Sequence, residues 1–402
     1  MSISFNDMFT QLDEAWPLAS YPFLAVLPTS EVIMMVGSLV ALYTISPSTF
    51  SLAFSRNLPM RPDGIPWTYP QTGVATLLPL DPADNYAVKV LSAGGCSEDL
   101  AGLTTPATNA AYIFDLATVT WSATPTPMTQ PRVIGNVILL PTSQVLIING
   151  AGTGTSGFGT GIGGGNTLNP VLQPEIYDIA TSSWSGPKAA ASNPRLYHST
   201  AILLPSGEVL VSGSEVTQDF TAEIYRPSYL SSPHQPFINM PTAPQSLAYG
   251  STLQLSWGRT STLPSEDVDH GVLIKSGAIT HSTHFDQRMV ILVTTSASPV
   301  TSQSVGGLNS RSGTIVVQMP PSNLIAPPGQ YMLFLLGKDN TPSPAIYVSL
   351  GVPVPANAPQ PPQDSGVGYN LLANTAYATG SDLFNFYCAG GQCLTVPMRR
   401  GL

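Results

Sequence analysis

Charge is scarce in this sequence. Lys and Arg number 14 and Asp and Glu 23 among 402 residues, so charged side chains make up 9% of the chain and the formal net charge is -9. Nucleic-acid binding requires clustered cations facing phosphates, and neither the count nor the sign supplies them. Cysteine is scarcer still, at three residues, which excludes a disulfide framework. Cys388 and Cys393 are close enough in sequence to pair in an oxidising compartment, and Cys96 is then left alone. Long apolar runs are also missing: the stretch from Val32 to Ile45 is broken by Gly37, Ser38 and Thr44 and falls short of a membrane span. The opening residues Met1 to Asp7 show neither the basic region nor the apolar core of a signal peptide.

Pro (39) and Gly (35) are plentiful, and short runs rich in Val, Ile, Leu and Thr recur between them. That composition predicts an all-β protein with many turns and few helices, and the length allows two substantial cores. An internal repeat sharpens the expectation. Ile113-Phe114-Asp115-Leu116-Ala117-Thr118-Val119-Thr120-Trp121 returns as Ile176-Tyr177-Asp178-Ile179-Ala180-Thr181-Ser182-Ser183-Trp184, an offset of 63 from position 113 to position 176. A degenerate copy runs from Leu42 to Phe50, with Phe50 in place of Trp. Upstream of the copies a Leu-Pro element recurs at 27, 78, 140 and 204, at spacings of 51, 62 and 64.

Each unit reads as strand, tight turn, strand, loop, strand and a turn with an aromatic. This is the pattern of a four-stranded, kelch-type propeller blade. A small twisted sheet cannot bury both faces alone, so Trp121 and Trp184 are expected in the packing between blades. About four to five blades fit into residues 1–232. From 233 to 352 a different alternation, in segments such as Thr252 to Trp257 and Gln330 to Leu336, predicts a seven-stranded, immunoglobulin-like sandwich. Residues 353–402 form a third part: Pro353 to Pro362 reads as an extended, polyproline-like linker, and the tail after it has no periodicity. The Gly-rich run Gly152 to Gly165 precedes no helical pattern, so it predicts a long loop rather than a phosphate cradle.

Two short motifs carry chemistry. Arg195-Leu196-Tyr197-His198-Ser199-Thr200 resembles the copper-ligand strand of the glyoxal oxidase and galactose oxidase family of copper-radical oxidases. Thr280-His281-Ser282, within Gly277 to Arg288, resembles the ligand hairpin of that family's C-terminal early-set domain, and Pro327 to Phe334 resembles the strand after it. The segment from Pro131-Arg132 to Gly150-Ala151 favours the glyoxal oxidase branch. The likeness spans about residues 20–352. It implies one copper ion, with Tyr197 as axial ligand and proton acceptor and His198 and His281 as equatorial ligands. It also implies oxidation of a simple aldehyde or primary alcohol, reduction of O2 to H2O2, and an extracellular setting. His284 is expected at a turn or on the surface, and His234 and His270 receive no role.

The family's second tyrosine, thioether-linked to a cysteine as the radical cofactor, has no match in residues 1–130. Cys96 belongs to a later blade in the family's order, and Tyr69 fits a structural blade position. Set against the family's seven blades, the blade count predicts an N-terminally incomplete product or a degenerate paralogue, since an open propeller leaves apolar faces uncovered. Two functions are therefore expected to compete: the oxidase, or a non-catalytic propeller and sandwich that binds a glycan or protein partner.

Overall fold

The computed structural model describes residues 12, 18–46, 51–97, 102–214, 221–239, 245–305, 308–353, 388–389 and 392–393. The repeat units fold as four consecutive antiparallel sheets. The first holds Phe23–Val26, Glu31–Val36, Leu39–Ile45 and Leu52–Leu58; the second holds Val74–Leu77, Lys89–Ala93, Ala111–Asp115 and Thr120–Ala123. The third holds Asn136–Leu139, Gln144–Ile148, Glu175–Asp178 and Ser183–Trp184, and the fourth holds Ser199–Leu203, Val209–Gly213 and Ala222–Tyr225. These are propeller blades, and among the described residues no strand pairing joins the fourth to the first.

The Leu-Pro elements are the turns between the first two strands of a blade. Leu27, Leu140 and Leu204 donate their amides to the carbonyls of Glu31, Gln144 and Glu208, at 2.7, 2.9 and 2.8 Å. Ser30, Ser143 and Gly207 occupy equivalent left-handed positions, with φ of 66, 59 and 83°, so the glycine shows which residue the turn favours. Trp184 Nε1 reaches Thr124 Oγ1 of the preceding blade at 3.4 Å, and Trp121 Nε1 donates to Pro59 O at 2.8 Å while its ring stacks on Trp67.

A second repeat was not visible in the sequence. A buried arginine precedes the first strand of three blades and closes onto the carbonyl at the end of the second strand. Arg61 binds Gly94 O at 3.0 Å, Arg132 binds Asn149 O at 2.9 Å and Arg195 binds Gly213 O at 2.9 Å. In the third and fourth blades a buried carboxylate completes the latch, Glu175 on Arg132 and Glu223 on Arg195. Glu175 also accepts the amides of Thr129 and Gln130, at 2.6 and 3.0 Å, so one carboxylate ties the chain leading into the third blade to that blade's third strand.

The Gly-rich run folds as a hairpin, Ala151–Phe158 against Gly165–Pro170, rather than as the loop expected. Glycine erases the side-chain alternation that would mark a strand. Backbone proximity accounts for it: a Cβ on Gly154 would stand 2.2 Å from Asn166 O.

Two five-stranded sheets follow, against the seven strands expected. The additional strands are short or polar, such as Phe237–Ile238, Gln245–Leu247 and Thr301–Val305, and show no alternation. The strand Gly329–Gly337 is apolar on both faces because both are covered. Leu333 and Leu335 join the interior of the sandwich with Leu255 and Val317, while Met332, Phe334 and Leu336 join a cluster shared with Val137, Leu139 and Val145 of the third blade. The sandwich thus packs against the blades through one face of the strands Val268–Lys275, Arg288–Ile291 and Gly329–Gly337.

Near the C-terminus Cys388–Ala389 pairs with Gln392–Cys393, which sets Cys388 opposite Cys393 in register. The Pro-rich stretch after Pro353 and Phe50 of the degenerate repeat lie outside the described residues. Glu175→Gln should lower the stability of the propeller and sandwich by about 3–5 kcal/mol, because it leaves the Arg132 guanidinium buried without its counter-charge. Urea denaturation measures it, and an unchanged midpoint would contradict the latch.

Candidate metal centre

Three polar atoms converge where the sandwich meets the blades. Tyr197 Oη lies 3.1 Å from His281 Nε2, and His198 Nε2 lies 3.0 Å from the same nitrogen. The structure therefore brings together the three residues singled out in the sequence, although 83 positions separate His198 from His281.

The fourth blade supplies the first two. Its Arg195 latch ends at Gly213 O, opposite the start of the strand Ser199–Leu203, and Leu196 N donates to Ser214 Oγ at 3.2 Å. A turn closed by Ser199 N on Leu196 O then presents Tyr197 and His198, with His198 in left-handed backbone at φ 62°. Gly213 permits this approach, since a Cβ there would lie 2.8 Å from His198 O. The Tyr197 ring is buried and stacks on His198, with centroids 3.9 Å apart.

His281 arrives on a sandwich hairpin, Ala278–Thr280 against Thr283–Phe285, which touches the first strand of every blade. Its two-residue turn is His281-Ser282, both left-handed at φ 51 and 69°. Turns of this type favour Asn-Gly or similar pairs, so two non-glycine residues there represent stored strain. Polar anchors hold the hairpin in place. His284 Nδ1 donates to Val137 O at 2.8 Å, Gln287 Oε1 accepts from Leu139 N at 2.9 Å, and Gln287 Nε2 donates to Thr76 Oγ1 at 3.1 Å. Thr283 Oγ1 donates to Tyr21 O at 2.9 Å, and Arg288 bonds the carbonyls of Val26 and Ile325.

Burial, with His198 as a second cause, pulls the His281 pKa down to about 4, so the ring is neutral at neutral pH. Thr280 Oγ1 lies 2.7 Å from His281 Nδ1, and a proton on that nitrogen leaves the Nε2 lone pair free. A neutral imidazole nitrogen has one lone pair or one proton, so Nε2 cannot satisfy both Tyr197 and His198 by hydrogen bonding. A cation can engage all three. Imidazole nitrogens approach a first-row metal at about 2.0 Å, so donors about 3 Å apart subtend close to a right angle at a common ion. Among the described residues no cluster of three or more His, Cys, Asp or Glu side chains forms, which leaves a phenol as third donor.

The comparisons agree with an architecture of propeller blades followed by an early-set sandwich. Residues 5–231 match the family described as glyoxal oxidase N-terminus, and residues 235–350 match the galactose oxidase-like early set domain. The chain belongs to the glyoxal oxidase and galactose oxidase family of copper-radical oxidases. It is 27% identical over 347 residues to an aldehyde oxidase of Vitis pseudoreticulata, a match covering 82% of this chain and 62% of the relative. It is 30% identical over 188 residues to a galactose oxidase of Gibberella zeae, covering 44% of this chain and 25% of that one. A fungal alcohol oxidase solved in complex with copper shares the fold at a TM-score of 0.61 and 20% identity, over 83% of this chain and 64% of that one. The chain thus spans less than two thirds of these relatives. No helix among the described residues is long and apolar enough to cross a membrane.

Sequence reasoning missed two rings at the centre, Tyr21 and Phe158, and read a third, Tyr69, as a structural blade position only. Tyr21 stacks on His281, Tyr69 meets it edge-on at 5.6 Å, and Phe158, 65% exposed, meets Tyr197 edge-on at 5.5 Å. Tyr21 and Tyr69 each precede a proline in the segment leading into the first strand of a blade, as Tyr197 precedes the strand starting at Ser199. That shared placement was the available signal. Two further histidines stand elsewhere, His234 near Glu266 and His270 beside Asp269.

His284 is not at the surface as expected: it is 4% exposed, because the hairpin runs inward among the blades. Burial lowers its pKa from 6.5 to about 4, outweighing the opposing effect of the Val137 carbonyl. Between those values the unfolded chain takes up a proton that the folded chain refuses, so stability falls as pH drops through this window. The loss should be on the order of 3 kcal/mol for this residue. His284→Asn, which keeps a donor for Val137 O, should flatten thermal stability between pH 6.5 and 4 apart from the share of His281. Equal acid sensitivity in both proteins would refute the assignment.

Proposed function

We propose that Tyr197, His198 and His281 hold one copper ion, and that the site oxidises a simple aldehyde, as its hydrate, or a primary alcohol. The observation that carries this reading is the approach of the His198 imidazole nitrogen and the Tyr197 phenol oxygen to within 3.1 Å of His281 Nε2, with strained backbone at both histidines. Bound copper would supply one-electron redox chemistry and a Lewis-acidic position for the substrate oxygen. His281 remains a neutral nitrogen donor through Thr280, and His198 faces it from the fourth blade. Tyr197 Oη, oriented by His281 and by stacking on His198, would lose its proton to solvent when a cation binds, and the resulting phenolate would accept the proton of the substrate hydroxyl. In the net reaction a hydrated aldehyde becomes the acid, and its two electrons and two protons convert O2 to H2O2.

On this reading residues 1–232 form the propeller part and 233–352 the sandwich part, and the enzyme works outside the cell. The family's thioether-linked cysteine and tyrosine, the second redox partner that a two-electron oxidation needs beside copper, have no match in residues 1–130. Cys96 suits the role poorly: it is fully buried, and burial pushes its thiol up to about 12, far from a reactive thiolate.

Copper titration followed by electron paramagnetic resonance, with peroxide release measured in parallel, tests the proposal. One Cu(II) should bind the wild-type chain, His281→Ala should weaken binding about tenfold or more, and Tyr197→Phe, in protein that also carries the thioether-linked cysteine and tyrosine, should keep copper and abolish peroxide formation. Copper affinity unchanged in His281→Ala would sink the site assignment. A native protein that binds copper but carries no thioether-linked cysteine and tyrosine and releases no peroxide would favour the non-catalytic reading, with a glycan or protein partner.

A further inference from the structure

His281 makes its closest ring contact with Tyr21, a residue with no role in the site as read so far. The two rings lie with centroids 3.6 Å apart and planes 11° from parallel, closer than any other aromatic pair at the centre. Local structure builds this contact. Tyr21 adopts left-handed backbone at φ 59°, and Pro22 then fixes the path into the strand Phe23–Val26. The Tyr21 carbonyl accepts from Thr283 Oγ1, one residue beyond the His281-Ser282 turn, so backbone and ring of Tyr21 grip the same hairpin end. Tyr69 braces the pair from the side, meeting Tyr21 at 6.1 Å and 74° and His281 at 5.6 Å and 83°.

We infer that Tyr21 is a positioning residue for His281, holding the imidazole plane so that Nε2 faces Tyr197 Oη and His198 Nε2. Two restraints are needed because each controls a different motion. The Thr280 hydrogen bond to Nδ1 acts within the ring plane and leaves the ring free to tilt about that contact. A stacked ring opposes the tilt and does nothing against in-plane rotation. Together they define one orientation, which matters because a turn with two left-handed residues would otherwise relax. The contact also links the first blade to a centre whose three polar donors come from the fourth blade and the sandwich. The inference rests on the copper reading only for its consequence, that metal affinity depends on the stack.

The test uses the whole chain with 13C-labelled histidine rings, as wild type, Tyr21→Phe and Tyr21→Leu, each checked for the same fold by circular dichroism. The chain has five histidines, and His281→Ala identifies the signal of interest. In the metal-free wild type and in Tyr21→Phe, the His281 ring protons should resonate upfield of an ordinary imidazole because of the stacked ring. In Tyr21→Leu they should move downfield and broaden, and Cu(II) affinity should fall about tenfold, within the usual range for groups that orient a ligand. Tyr21→Phe should restore both. A His281 signal unchanged in Tyr21→Leu would overturn the inference, as would a moved signal with unchanged copper affinity. If the wild type binds no copper but its His281 signal responds to Tyr21 as described, the metal reading fails and the positioning role stands.

Discussion

A short hairpin inserted from one β-structure into another supports the rest of this molecule. Residues 278–285 leave the sandwich and touch the first strand of all four blades. The sites that receive the hairpin are mostly backbone carbonyls and amides of blade strands, at Val26, Val137 and Leu139. Such groups are fixed by the sheet ladders themselves, so the blades act as a rigid frame. The cost of anchoring is the burial of His284, Arg288 and Gln287 groups, and hydrogen bonding offsets it. One atom is exempt: His284 Nε2 is buried without a partner among the described residues.

This frame explains why strain collects at the tip. His198, His281, Ser282 and Tyr21 all occupy left-handed backbone, and all four meet around one imidazole nitrogen or its supports. Non-glycine residues in that region cost about 1–2 kcal/mol each, and surrounding structure must over-determine them. Here the Arg195 latch over-determines His198, and the anchored hairpin over-determines His281. Strain held in this way gives a pre-arranged donor set, which suits a site that must bind a metal without rearrangement.

Much of this was legible in the sequence. The Trp-ended repeat and the Leu-Pro turns announce blades because each is a local pattern with a fixed period, and the sheets follow it from Phe23 to Tyr225. Tyr197-His198 and His281 were found because their flanking residues form recognisable motifs. Tyr21 and Tyr69 were not, since a Tyr-Pro pair ahead of a strand reads as an ordinary turn and only tertiary packing stacks its ring on a histidine. His284 was misjudged for a related reason: proximity to a turn suggests exposure unless the turn is itself inserted into another domain. The arginine latches bind carbonyls that only the folded blade creates, so no residue pairing in the sequence marks them.

On the proposed reading, two imidazoles from different structural parts share one copper ion. Pulsed electron paramagnetic resonance on the Cu(II)-loaded chain counts coordinated imidazole rings through the nitrogen remote from the metal. Two imidazole couplings of the same kind are expected in the wild type, and one when either His198 or His281 is replaced by alanine. A single imidazole in the wild type, or couplings that survive both replacements, would contradict it.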